Sequence, residues 1–114
     1  MKSERIFRKE FSFPFVATNQ DKELEFALEG ELKKTFVRLP NFASNVTGQV
    51  LIEDEGGYDF VASVDTLAKN QDHRLDTPWP LAGTQKVKVH LSAALDALDS
   101  GTVIVVCYGR KVGI

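Results

Sequence analysis

A single cysteine, Cys107, stands among the 114 residues, so no disulfide can form within the chain and the fold is not stapled as small secreted domains are. The chain fits a protein that folds in a reducing cytoplasm. No apolar run approaches the ~20 residues that a membrane-spanning helix needs. The front of the chain carries Lys2, Glu4, Arg5, Arg8, Lys9 and Glu10 where a signal peptide would place its apolar stretch. A large excess of one charge is also missing. Lys and Arg number 14 and Asp and Glu 16, a net charge of −2, whereas a nucleic-acid binder concentrates basic residues. The basic front is therefore read as a solvated arm, and neither nucleic acid nor membrane is expected as a partner.

Chemical signatures are equally scarce. His73 and His90 are the only histidines, and no HxxxH or CxxC spacing accompanies them. Cys107 lies between Val106 and Tyr108 in an apolar run, where burial raises a thiol's pKa and quenches its reactivity. The cluster Glu53, Asp54, Glu55, Gly56, Gly57 lacks the alternating ligands and terminal bidentate acid of a calcium loop. No nucleophile elbow, phosphate-cradling glycine loop or dinucleotide fingerprint occurs. The expectation is a protein with no catalytic residues, no metal and no cofactor.

What is present is strand periodicity. Gln85, Val87, Val89 and Leu91 alternate with Lys86, Lys88 and His90, giving a strand with one wet face. Thr102 to Tyr108 is apolar throughout and reads as a strand buried on both faces. Leu24, Phe26 and Leu28 alternate with Glu23, Glu25 and Glu29, and after Gly30 the stretch Leu32 to Leu39 forms another strand. A hairpin between these two would set the glutamates against Lys33, Lys34 and Arg38. Pro40 to Asn45 is a loop, Thr47 to Ile52 a strand, Glu53 to Gly57 a hairpin turn and Tyr58 to Val64 its return. His73 to Leu75 suits a short edge strand. The two prolines around Trp79 keep Asp76 to Pro80 out of any sheet centre. Leu91, Leu95 and Leu98 fall at helical spacing after Ser92, predicting a short helical turn near 92–98. The sum is an all-β chain, a small antiparallel β-sandwich, Ig-like or jelly-roll-like, of about seven to nine strands.

Residues 1–16 form an N-terminal arm or edge strand, and 17–114 the sandwich domain. Within the arm, Phe11, Phe13 and Phe15 alternate with Ser12 and Pro14, a strand pattern with a proline that suits an edge. These three phenylalanines either fill one edge of the core or dock on a partner subunit, and they are the candidate partner-binding residues. Trp79 is either an end-cap of the sandwich or a rigid indole for a sugar or peptide ligand.

From about Pro40 onward the pattern resembles a group of small β-sandwich proteins from the head and neck of tailed bacteriophages and prophages. The residues that carry it are Thr47 to Asp54, the acidic glycine turn, Leu67 and Ala68, Pro78 to Gly83, Leu91 and Ser92, and Thr102 to Gly109. The resemblance implies a virion structural protein, made in the bacterial cytoplasm, that decorates the capsid or sits at the head-to-tail junction. It implies capsid or connector proteins as partners and a homo-oligomer of neighbouring copies. The rival reading is a carbohydrate- or peptide-binding module built on Trp79 and the loops at one end. One tryptophan and two tyrosines make a poor row of exposed aromatics for that purpose.

Overall fold

The computed structural model describes residues 3–62, 67–76 and 78–113. Among them, ten strands form two antiparallel sheets: β1 (Ser3–Phe15), β2 (Asp21–Ala27), β3 (Gly30–Leu39), β4 (Thr47–Glu53), β5 (Asp59–Ala62), β6 (Leu67–Ala68), β7 (Gln71–Leu75), β8 (Trp79–Leu81), β9 (Thr84–Leu91) and β10 (Gly101–Gly113). One sheet runs β1-β10-β3-β7, with β8 also paired to β3. The other runs β2-β9-β4-β5, with β6 also paired to β4. Successive long strands cross between the sheets, and the last strands insert beside the first. That interleaving is the topology of a jelly roll rather than an immunoglobulin sandwich.

Alternation along each strand builds the core, because neighbouring side chains point to opposite faces. Phe11, Phe13, Phe15, Val103, Val105 and Cys107 face inward from the first sheet. Phe26, Val50, Ile52, Val87, Val89 and Leu91 meet them from the second. Phe11 and Phe26 close one edge with ring centroids 5.1 Å apart. Phe42 closes one end, its ring edge-on to Phe15 at 6.3 Å.

Beneath that end the loops are tied by polar contacts. Asp99 accepts hydrogen bonds from the Ala43 and Ser44 amides and the Ser44 hydroxyl, and Lys69 donates to the carbonyls of Phe42 and Ser44. At the opposite end Gly57, at φ +89, turns β4 into β5, while Asp54 accepts from the Tyr58 amide.

Four sequence expectations change. The charged front is not a solvated arm: Ser3 to Glu10 continue β1 and pair residue by residue with Gly113 to Val106. The Glu23/Glu25 against Lys33/Lys34 hairpin does not form, because β2 and β3 lie in different sheets. Glu23 and Glu25 instead stand opposite Lys88 and Lys86 of β9. The crossing occurs at Gly30 (φ +152), where an added Cβ would sit 2.2 Å from the Arg110 carbonyl oxygen.

Residues 92–98 are a loop, not a helical turn. Leu91 ends β9 and Leu95 is buried, exchanging backbone hydrogen bonds with Thr18 and Asn19, while Leu98 is fully exposed at φ +69. Finally, β10 is buried on one face only. Val103, Val105 and Cys107 are enclosed, but Ile104, Val106 and Tyr108 are half-buried on the outside. A two-layer sandwich gives every strand one outward face.

Candidate docking face

The outward face of β1-β10-β3-β7 gathers side chains from widely separated parts of the chain. Its floor is β10, where Ile104, Val106 and Tyr108 point away from the core. Strand register sets Arg8 opposite Tyr108 and Glu10 opposite Val106 on the β1 side. It sets Phe36 opposite Val106 and Arg38 opposite Ile104 on the β3 side. One strand further out, Arg74 lies beside Phe36 and Asp72 beside Arg38. The longer side chains of β1 and β3 wall the shorter ones of β10, leaving a shallow groove of about 290 Å³. A second depression, bounded by Ile6, Lys34 and Arg110, continues it past Phe36 and Tyr108.

The groove is built of fixed parts. Phe36 and Tyr108 meet edge to face at 5.5 Å, the arrangement that ring quadrupoles favour. Arg8 donates to the Tyr108 hydroxyl at 3.0 Å and to Glu10 at 2.9 Å, and its guanidinium carbon lies 5.8 Å from the Tyr108 ring centre. Arg38 makes a two-pronged contact with Asp72 at 2.8 and 3.3 Å. These bonds push both guanidinium pKa values up, through Tyr108 for Arg8 and through Asp72 for Arg38, and hold the Asp72 carboxyl below its ordinary value. The same contacts orient the two guanidinium groups on the face. Phe36 remains 37 % exposed and Ile6 85 %.

The other outward face is of opposite character. Asp21, Glu23 and Glu25 of β2, with Glu53 and Asp59, surround Lys86 and Lys88. Lys88 bridges Glu53 at 2.9 Å and Asp59 at 3.0 Å, which raises its pKa, and His90 meets Asp21 at 2.5 Å. Charge fills this face, and acids outnumber bases on it.

Phe11, Phe13 and Phe15 are buried at 7, 1 and 1 % exposure and fill the chain's own core. Trp79 keeps 41 % of its surface, and Leu81, two residues on, is the buried member of β8. The groove was missed at the sequence level. Its one local signal was the unbroken apolar run of β10, since half of such a run must face outward in a two-layer fold.

Cys107 points into the core, where burial pushes its pKa up to about 12. His73 is bonded to the Ala68 carbonyl. Among the described residues no group of three His, Cys, Asp or Glu side chains is placed to hold a metal ion.

No protein-family model and no curated protein matches the chain. Solved structures do match. A chain of the acidic stable capsid structure of Helicobacter pylori bacteriophage KHP30 superposes with TM-score 0.53 at 13 % identity, over 100 % of this chain and 99 % of that one. The SPBc2 prophage-derived protein YomS gives TM-score 0.52 at 20 % identity, over 90 % and 96 %. A chain of the cyanophage Pam1 capsid asymmetric unit gives TM-score 0.53 at 14 % identity, over 95 % and 85 %. At these identities the likeness establishes a common fold.

Proposed function

We propose that this chain is a non-enzymatic structural subunit of a phage particle, acting through protein-protein contacts as a capsid decoration or head-to-tail junction protein. The observation that carries the reading is the outward face of β10 and its neighbours. A monomeric sandwich gains nothing by leaving Ile104, Val106, Tyr108 and Phe36 partly in water, and apolar ground bordered by Arg8, Glu10, Arg38 and Asp72 suits a protein interface. The fold shared with two phage capsid chains and a prophage protein supports the choice of setting. Capsid or connector proteins and neighbouring copies of the chain are the partners in this reading, and the virion is the destination.

The alternative, a carbohydrate- or peptide-binding module, rests on Trp79, which keeps 41 % of its surface on the short strand β8; the exposed apolar ground gathered on the β10 face favours the protein-contact reading instead. Density-gradient particles from a host carrying the gene, probed by quantitative mass spectrometry and immunogold labelling, test the proposal. A fixed copy number per particle is expected. Absence of the chain from banded particles, with the protein left in the soluble fraction, overturns it.

A further inference from the structure

The two outward faces differ in sign. On the groove face Arg8, Lys33, Lys34, Arg38, Arg74 and Arg110 outnumber Glu10, Glu31, Asp72 and Asp76 around an apolar centre, with Arg8, Arg38 and Arg74 each bridged to an acid of the same face. On the opposite face Asp21, Glu23, Glu25, Glu53 and Asp59 outnumber Lys86 and Lys88. That face also offers apolar ground: Leu51 is partly exposed at its middle, beside the aliphatic stems of both lysines. Two groove faces brought together would oppose two surfaces of the same net positive charge, which costs rather than gains. A groove face laid on the acidic face of another molecule opposes a net positive to a net negative surface.

We infer that the occupant of the groove face is a second copy of this chain, docked by its acidic β2-β9-β4-β5 face. Such an interface is heterologous, because each copy uses a different surface toward its two neighbours. It therefore closes into a ring or runs on as a stack, according to the rotation between copies. The inference concerns the isolated chain and stands whether or not the virion reading is correct.

Two variants of the full chain test it. Phe36→Glu disables the groove face and leaves the acidic face intact; Glu23→Lys with Glu25→Lys does the reverse. All three side chains are exposed, so circular dichroism should match the parent. Ile6→Glu, at a position 85 % exposed, replaces Phe36→Glu should that variant misfold. By sedimentation equilibrium, the parent's weight-average mass should rise with concentration above the 12.7 kDa monomer. It should fall back between 0.1 and 1 M NaCl as the Debye length shrinks from ~10 to ~3 Å. Each variant alone should remain monomeric. An equimolar mixture should give a two-chain species and nothing larger, since one functional face survives on each partner. A parent that stays monomeric to its solubility limit overturns the inference. So does a mixture that does not pair, or association that survives loss of the acidic face.

Discussion

Replacing Phe13 by alanine asks whether the first strand belongs to the core or is a detachable arm. Phe13 is 1 % exposed and lies opposite Val103, itself wholly buried, so the ring is enclosed on every side. Truncating a buried phenylalanine removes its transfer free energy and leaves a cavity, at about 3–5 kcal/mol. A single domain of this size holds about 5–15 kcal/mol in all. The variant should fold, with a large part of its stability gone. With a urea m-value of about 2 kcal/mol/M, the midpoint should fall by roughly 1.5–2.5 M. Phe36→Ala is the matched control, an aromatic deletion on the outward face, and should shift stability by about 1 kcal/mol or less. Urea titrations of both, followed by circular dichroism, make the comparison. If Phe13→Ala moves the midpoint no further than Phe36→Ala and weakens assembly instead, the packing of β1 described above is wrong. Phe11, Phe13 and Phe15 would then be partner contacts.

Gly109→Ala should lower the melting temperature measurably by calorimetry, because its Cβ would lie 2.2 Å from the Glu31 carbonyl oxygen and 2.4 Å from the Phe7 ring; an unchanged melt would refute that close approach. Asp99 supplies a pH dependence. Hydrogen bonds from the Ser44 hydroxyl and amide, and from Ala43, hold its carboxyl below the ordinary carboxylate range. A folded-state value below the unfolded one means that the ionised form favours folding. This contribution is complete above about pH 4 and is lost as pH falls through the lower folded value. Asp99→Asn should therefore narrow the gap between urea midpoints at pH 7 and pH 3, and an unaltered gap would exclude Asp99 as its source. Cys107, wholly buried and with its pKa pushed up to about 12, should resist a thiol-specific disulfide reagent at pH 8 and react at the rate of unfolding; prompt stoichiometric labelling of the native chain would contradict its burial.

Elements whose pattern is local were legible in the sequence. β9 carries its alternation on its face, and the β4–β5 turn is written in Gly56 and Gly57, so class and most boundaries follow from period and turn chemistry. Sheet membership is not local. Leu24 to Leu39 reads as a hairpin because consecutive strands often pair, yet Phe26 and Leu32 must face each other from opposite layers to fill one core. The glutamates therefore found their lysines 61 and 65 residues away, on β9. The helical spacing of Leu91, Leu95 and Leu98 failed for a similar reason. Leu91 is fixed by β9 and Leu95 by backbone bonds to Thr18 and Asn19, contacts to which a 3.6-residue period is blind.

The docking face was hidden by that same non-locality, and one inference could have exposed it. Once an antiparallel two-layer sandwich is accepted, no strand can be buried on both sides, because nothing covers the outside of either sheet. An apolar run as long as Thr102 to Tyr108 then has only two uses. It either lies under another element or presents its outward half to another molecule. The structure covers Val103, Val105 and Cys107 and leaves Ile104, Val106 and Tyr108 beside Phe36, with arginines ranged along both sides. In this chain the stretch that reads most strongly as interior is thus half surface. The phenylalanines, read either as core filling or as a docking arm, are interior, and the enclosed and the exposed side chains lie on opposite faces of the same β1-β10 ribbon.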